Sequence, residues 1–119
     1  MIVLRDLVKQ YKNKYALRGI NLHIQPGEFV FLVGSSGAGK STLMKMLYLE
    51  ERPTRGNVYV AGIDIGNLAP SKIPSLRRCM GIVFQDYKLL QNHTVYDNIA
   101  YVTRSMGISS KEIESRLFR

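Results

Sequence analysis

Residues 34–41 read Gly34-Ser35-Ser36-Gly37-Ala38-Gly39-Lys40-Ser41 and fit the pattern G-x-x-x-x-G-K-S/T at every fixed position. A continuous apolar run, Phe29–Val33, comes directly before this loop and predicts a strand that is buried on both faces. After the loop, apolar residues recur at helical spacing from Lys40 to Glu50, before Pro53. The order of strand, glycine loop and helix predicts a phosphate-binding loop.

The residue types of this loop suit a nucleoside triphosphate and Mg²⁺. The glycines let the backbone wrap the phosphates, so that N–H groups and the positive end of the following helix face the β-phosphate. We expect Lys40 to lie between the β- and γ-phosphates, Ser41 to bind Mg²⁺ and Thr42 to reach the α-phosphate. A flexible Gly/Ser loop with a chance lysine is the alternative, which the flanking strand and helix disfavour.

Length and charge narrow the class of protein. A chain of 119 residues, 45% of them hydrophobic, has room for one core. Seventeen Lys and Arg against nine Asp and Glu give a net charge of +8, which suits an anionic partner. The positive residues are spread along the chain and only Arg77-Arg78 are adjacent, on a predicted solvent-facing helix surface. We therefore expect no nucleic-acid binding.

Neither a secreted fold nor a membrane span is indicated. The longest apolar run, Phe29–Val33, is far shorter than the roughly 20 residues of a membrane helix, and Met1–Asp6 is not a secretion signal. The single cysteine, Cys79, cannot form an internal disulfide and is expected to be a buried or half-buried thiol. These features predict a cytoplasmic protein.

Local patterns predict the remaining elements. Three further strands are expected from alternating or continuous apolar residues, at Ile2–Val8, Ile20–Ile24 and Asn57–Ala61, and a fourth at Gly81–Phe84. Asn13 and Gly19 are expected to mark the connection between the first two strands. Helices are expected at Ser71–Arg78, from the Thr94/Asp97 capping box to Met106 with Gly107 as its stop, and from Ser109 onward.

Four further segments give the chain a family resemblance. They are Tyr11, Ala16–Ile20, Pro26-Gly27-Glu28 and Val83-Phe84-Gln85-Asp86. With the glycine loop, they resemble the N-terminal half of an ABC-transporter ATPase over essentially all 119 residues. The resemblance implies an α/β P-loop NTPase fold, in which an antiparallel β subdomain accompanies the start of a parallel core sheet and of a helical subdomain.

Other stretches resemble the cell-division branch of that family. They are Glu50–Thr54, Ile73–Arg78, Phe84–Leu90 and Thr94–Ile99. This resemblance implies a homodimer in the complete protein, an FtsX-like membrane subunit as partner, and a peripheral location on the cytoplasmic face of the plasma membrane. Cassettes for lipoprotein release or macrolide export share much of the pattern and remain an alternative.

The resemblance also assigns roles to two residues outside the loop. Tyr11 matches the aromatic residue that stacks on adenine, although a tyrosine that simply ends the first strand is the alternative. Gln85 matches the Q-loop glutamine, which ligates Mg²⁺ or holds the attacking water, although a plain polar strand end would look the same. Between Asp86 and Val95, Leu89 and Leu90 are equally compatible with a membrane-subunit contact and with a core.

The groups that complete the family's catalytic cycle are not found in residues 1–119. No apolar run ends in Asp-Glu, and neither an LSGGQ signature nor a switch histidine is present. With Lys40 and Gln85 but no general base, this incomplete domain is expected to bind ATP with little turnover. Lack of the neighbouring Walker B strand is expected to expose Phe29–Val33. A nucleotide-binding protein without hydrolysis and a basic interaction module are the alternatives.

Overall fold

The computed structural model describes residues 1–117, with side chains except at positions 110, 116 and 117. The chain divides into two compact units, Met1–Met80 and a second from Gly81 onward. The first unit holds a β-sheet, the glycine loop and two helices, and the second holds two helices. Within the described residues, no helix is long and apolar enough to cross a membrane.

Four antiparallel strands form the sheet of the first unit, in the order β2-β1-β3-β4. The strands are β1 (Ile2–Tyr11), β2 (Lys14–Ile24), β3 (Arg55–Val60) and β4 (Ile63–Asp64). The three strands predicted in these regions are confirmed. β2 begins earlier than predicted because a turn of only two residues, Lys12 and Asn13, joins it to β1, and pairing starts at once between Tyr11 and Lys14.

Gly19 lies inside β2 and does not mark a connection, so that part of the prediction was wrong. The pairing of β1 with β2 shifts register beside it, and its φ of 72° suits the extra residue of a bulge. A second irregularity lies at Asp6, where φ is 45° and the backbone N–H donates to Asn21 Oδ1 at 2.9 Å. Gly56 on β3 faces this bend, and a Cβ there would collide with the Asp6 carbonyl oxygen.

The core of the first unit lies between the sheet and the helix that follows the glycine loop, α1 (Lys40–Leu47). Leu43 and Met46 are the buried residues of α1. They belong to one apolar cluster, whose buried members are Leu4, Leu7, Leu17, Leu43, Met46, Leu49, Val58 and Ile65. Because burial of this face stabilises α1, the glycine loop is attached to a fixed helix.

Helix α1 ends at Leu47, three residues before the predicted end. Leu49 takes a left-handed conformation with φ 52°, which no longer continues a helix. The backbone N–H groups of Glu50 and Glu51 both donate to the Lys45 carbonyl, at 3.0 and 3.4 Å. These bonds satisfy a carbonyl that the helix leaves without a helical partner. Glu50 and Glu51 are thereby turned back toward α1.

A 3-10 turn at Pro70–Lys72 leads into α2 (Ile73–Arg78), which confirms the helix predicted at Ser71–Arg78. Cys79 follows α2 directly and is exposed, so the prediction of a buried or half-buried thiol was wrong. Its Sγ donates to the Ser75 carbonyl at 3.4 Å. The single cysteine therefore caps a short helix at the surface.

Arg77 has a structural role that the adjacent-arginine pattern did not reveal. Its Nε donates to the Tyr48 carbonyl and its Nη2 to the Leu49 carbonyl, each at 2.9 Å. These two carbonyls lie just beyond the end of α1, where no helical N–H reaches them. The fork of the guanidinium thus joins α2 to the end of α1.

We expect Arg77→Ala to lower the free energy of unfolding by about 2 kcal/mol, because it leaves two carbonyls without their charged donor. Arg77→Lys should recover less than half of the loss, since an ammonium lacks the planar fork. Arg78→Ala is the matched control and should change stability by less than about 0.5 kcal/mol. Urea unfolding measures all three, and equal losses for both alanine variants would contradict the role of Arg77.

Two apolar segments that were predicted to be strands, Phe29–Val33 and Gly81–Phe84, are not strands. Phe29–Val33 pairs with no strand among residues 1–117, and the side chains of Phe29, Phe31 and Val33 are 83%, 78% and 84% exposed. Gly81–Phe84 is likewise without strand pairing in the described part of the chain. A strand needs a neighbour for its backbone hydrogen bonds, so apolar composition alone does not form one. The expected exposure of Phe29–Val33 is confirmed.

The second unit contains α3 (Val95–Ser105) and α4 (Ser110–Leu117). The capping box is confirmed, because Thr94 Oγ1 accepts from the Asp97 N–H while Asp97 accepts from the Thr94 N–H. The hydrogen bonds from Thr94 lower the pKa of Asp97 below its usual range. Gly107 at φ 82° follows α3 as predicted, and the start of α4 after Ser109 is also confirmed.

Candidate functional site

The glycine loop extends from the irregular segment before it to the first residue of α1. Residues 34–38 are exposed, and a turn at Ser36 and Gly37 is closed by the Ala38 N–H, which donates to the Ser35 carbonyl at 3.2 Å. Gly37 and Gly39 have φ of 77° and 92°, a region that favours glycine. The loop therefore ends at a helix N-terminus, with backbone N–H groups that α1 itself does not use.

Lys40 folds its side chain back over the loop. Its Nζ donates to the carbonyls of Gly34 and Ser35, both at 2.7 Å. A positive charge is thus held at the centre of the loop, next to the N-terminus of α1, whose first turn contains no acidic residue. Both the ammonium and the helix dipole attract an anion to this place.

Gly39 connects the loop to the sheet. A Cβ on Gly39 would lie 2.5 Å from the Ala16 carbonyl oxygen and 3.0 Å from Leu17 Cδ2, both in β2. A Cβ on Gly37 would meet no atom within 4 Å. The second fixed glycine of the motif is therefore required where the loop passes close to the backbone of β2.

Tyr11 lies beside Thr42, a residue in the first turn of α1. Tyr11 is the last residue of β1, is 42% exposed, and donates its hydroxyl to Glu51 Oε2. Burial raises the pKa of Tyr11, and the bond to Glu51 raises it further, whereas a hydrogen bond with Thr42 lowers it. The hydroxyl of Tyr11 is thus next to the residue that follows Ser41. The structure brings these predicted residues into one neighbourhood.

Glu51 is the centre of a charged group around Tyr11 that sequence reasoning missed. Lys9 Nζ lies 3.1 Å from Glu51 Oε2 and 4.9 Å from the centroid of the Tyr11 ring. Lys45 Nζ lies 3.6 Å from Glu51 Oε1 and 3.2 Å from Glu50 Oε1. Lys9 and Tyr11 are two apart in β1 and so share a face, which was the available signal. The turn that brings Glu51 back could not be predicted.

The pKa of Glu51 lies below its usual value, first because Tyr11 donates a hydrogen bond to it and then because Lys9 and Lys45 are near. A carboxylate with a lowered folded-state pKa stabilises the fold above its unfolded pKa of about 4.3, and that contribution is lost as the pH falls through the folded value. We therefore expect the stability difference between the native protein and Glu51→Gln to be larger at pH 6 than at pH 3.

Urea unfolding at the two pH values measures this difference, with Glu114→Gln, exposed on α4, as the control. A difference for Glu51→Gln that stayed constant between pH 6 and pH 3 would show that its carboxylate gains nothing from its charged neighbours.

Gln85 belongs to the second unit, where it is exposed at the start of a turn over residues 85–88. The backbone of this turn is left-handed at Tyr87 and Lys88, with φ of 55° and 50°. Lys88 forms an ion pair with Asp86 at 2.7 Å, which lowers the pKa of that carboxyl. Leu89 is 64% exposed, which favours a surface role over a core role for this segment.

The chain belongs to the ABC transporter family. The sequence profile of that family matches residues 17–118, which include the glycine loop, α1 and the turn at Gln85. The family is one of ATPases, so the family resemblance seen in the motifs is confirmed.

Relatives called cell division ATP-binding protein FtsE confirm the resemblance to the cell-division branch. The protein of Streptococcus pneumoniae is 47% identical over 118 residues, and that of Bacillus subtilis is 44% identical, each matching 98% of this chain. The Mycobacterium tuberculosis protein is 48% identical over 109 residues. The chain spans about half the length of these relatives, with 51%, 52% and 47% covered.

Solved structures of ABC cassettes share the fold. The dimeric structure of MJ0796, a bacterial ABC transporter cassette, superposes with a TM-score of 0.89 at 33% identity, over 98% of this chain and 53% of that one. A dimer of the same cassette in a post-hydrolysis state, bound to ADP and Pi, has a TM-score of 0.85 at 34% identity. The predicted fold class, the N-terminal part of an ABC cassette, is confirmed.

Proposed function

We propose that this chain binds Mg-ATP at its glycine loop and forms the nucleotide-binding part of an ABC complex that acts in cell division. The observation that carries this proposal is the position of Lys40. Its ammonium bridges two loop carbonyls at the N-terminus of α1, in a member of an ATPase family. When ATP is bound, the ammonium of Lys40 would exchange these carbonyls for the oxygens of the β- and γ-phosphates.

The neighbouring residues supply the other parts of an ATP site. Backbone N–H groups of residues 34–39 surround the phosphates, and the Thr42 hydroxyl reaches the α-phosphate. The ring of Tyr11, on the strand that ends beside Thr42, stacks on adenine. A flat ring recognises any base weakly, so the phosphate contacts supply most of the affinity.

Residues of the loop also fit a magnesium ion. Mg²⁺ prefers oxygen ligands and keeps several waters, so it needs few protein groups and an open site. Ser41 offers an exposed hydroxyl in the first turn of α1. A Cβ on Gly34 would lie 3.3 Å from Ala38 Cβ, so only small residues leave space inside the loop. When bound, the ion neutralises charge on the phosphates, and Gln85 is proposed as a second ligand.

We propose that residues 1–119 form an incomplete ABC ATP-binding domain, which binds ATP without appreciable turnover by itself. Lys40 and Gln85 act on the phosphate and the attacking water. The general base, the signature motif and the switch histidine come from outside these residues. Hydrolysis of the γ-phosphate depends on a positioned water and on charge neutralisation, and Lys40 and Gln85 supply only part of each without the missing groups.

The proposed assembly is a homodimer on the cytoplasmic face of the plasma membrane, with an FtsX-like membrane subunit. Its support is the similarity to proteins called FtsE over 98% of this chain and to cassettes solved as dimers. The complex would use ATP binding and hydrolysis to change the state of its membrane partner.

Two measurements test the proposal on the full-length gene product. Mg-ATP at about 100 times its dissociation constant should add about 2.7 kcal/mol of stability to the folded protein. Co-purification from membranes should recover an FtsX-like subunit. A melting temperature indifferent to Mg-ATP would contradict nucleotide binding. Recovery of a lipoprotein-release or macrolide-export subunit in place of the FtsX-like protein would contradict the cell-division role.

A further inference from the structure

The ring of Tyr11 is held by polar contacts and not by a hydrophobic core. Tyr11 is not a member of the apolar cluster under the sheet, and it is 42% exposed. Its hydroxyl donates to Glu51, while the ammonium of Lys9 lies 4.9 Å from the ring centroid, within the range of a cation–π contact. The ring is therefore fixed at its tip and on one face.

Lys9 and Glu51 are themselves fixed by further contacts. Lys9 Nζ donates to the Arg52 carbonyl at 2.9 Å and forms its ion pair with Glu51 at 3.1 Å. Both side chains are largely covered, at 15% and 23% exposure. An ion pair between exposed side chains would contribute little free energy. This ion pair is largely covered, and it joins β1 to the segment after α1.

We propose that Glu51, together with Lys9, is a positioning residue that fixes the Tyr11 ring to receive the planar base of a nucleotide. This inference rests on the proposed binding of nucleotide at the glycine loop. Stacking on a base fixes the plane of the aromatic ring. A ring that is already held loses less side-chain freedom when the base arrives. With one face near Lys9, the other face of the ring is the one that receives the base.

The charges of this group are also suited to a triphosphate nearby. A lone carboxylate beside α1 would repel the phosphates, but Lys9 and Lys45 lie 3.1 and 3.6 Å from Glu51 and offset its charge. Glu51 can therefore accept the hydrogen bond of Tyr11 at little electrostatic cost to an anion. The hydrogen bond between Tyr11 and Glu51 is therefore compatible with the binding of phosphates at the glycine loop.

The test compares Mg-ATP, which has an adenine base, with magnesium tripolyphosphate, which has none. Calorimetric titration of the full-length gene product measures both affinities. Tyr11→Phe removes the hydroxyl that donates to Glu51 and keeps the ring. Glu51→Ala removes the carboxylate that accepts this hydrogen bond. Each should weaken Mg-ATP binding roughly three- to tenfold, the effect of losing an ordered side chain. Affinity for magnesium tripolyphosphate should fall less than affinity for Mg-ATP, since Lys40 and residues 34–39 are unchanged and only the hydrogen bond of Tyr11 with Thr42 is lost near the phosphates.

Two further variants separate positioning from a general structural role. The double variant should lose less affinity for ATP than the sum of the two single losses, because both variants remove the hydrogen bond between Tyr11 and Glu51. Glu51→Gln should lose less than Glu51→Ala, since its amide oxygen still accepts from Tyr11. Glu50→Ala is the matched control and should leave the ratio of the two affinities unchanged.

Three outcomes would overturn the inference: additive losses in the double variant, equal losses for ATP and tripolyphosphate, or no loss from Glu51→Ala. Failure of the proposed function is recognised separately, by Lys40→Ala. If that variant kept full affinity for both ligands, the glycine loop would not be the binding site. If it lost both while Glu51→Ala kept ATP affinity, only the positioning role would fail.

Discussion

Lys40→Ala is expected to remove almost all of the stabilisation that Mg-ATP gives the full-length protein. The ammonium makes two charge-assisted hydrogen bonds to loop carbonyls and is the charge that would meet the phosphates. Loss of such bonds to a charged ligand corresponds to roughly a hundredfold weaker binding. Mg-ATP at about 100 times the native dissociation constant would then raise stability by only about 0.4 kcal/mol, against about 2.7 kcal/mol for the native protein.

Thermal melts with and without Mg-ATP measure this effect, which amounts to about 10 °C in the native protein and about 1–2 °C in the variant. Lys72→Ala is the matched control, because it removes one positive charge from an exposed position outside the loop. Equal shifts for the native protein and Lys40→Ala would exclude the glycine loop as the nucleotide site. A reduced shift for Lys72→Ala would point to net charge as the cause.

Features that depend on neighbouring residues were predictable from the sequence. The glycine loop and α1 follow from fixed spacing, and the capping box at Thr94 and Asp97 is complete within four residues. The hairpin of β1 and β2 follows from alternation, although the bulge at Gly19 was misread as a connection. A single glycine indicates a special conformation, but turn and bulge both use it.

Features that depend on distant partners were not predictable. Phe29–Val33 has the composition of a buried strand, and its exposure could be expected only through the family resemblance, because no local pattern shows whether a neighbouring strand is present. Glu51 meets Tyr11 across 40 positions of sequence, and Arg77 meets Tyr48 across 29. The left-handed turn at Leu49 directs Glu51 back toward α1, and a leucine gives no sign of such a turn.

Gly39→Ala is expected to destabilise the protein much more than Gly37→Ala, although both glycines lie in one loop with similar φ values of 92° and 77°. Each alanine incurs the strain of a left-handed backbone, about 1–2 kcal/mol. Only the Cβ at Gly39 also meets the Ala16 carbonyl oxygen, at 2.5 Å, where a backbone atom of β2 cannot move aside freely. Such overpacking adds about 1–3 kcal/mol.

Urea unfolding without nucleotide measures the two losses, which should be about 2–5 kcal/mol for Gly39→Ala and about 1–2 kcal/mol for Gly37→Ala. The comparison holds backbone strain constant, so the difference reports the contact with β2 alone. Equal losses would mean that the loop can move away from the sheet. A larger loss at Gly39 means that this glycine is required by the packing of the loop on the hairpin, before any phosphate is bound.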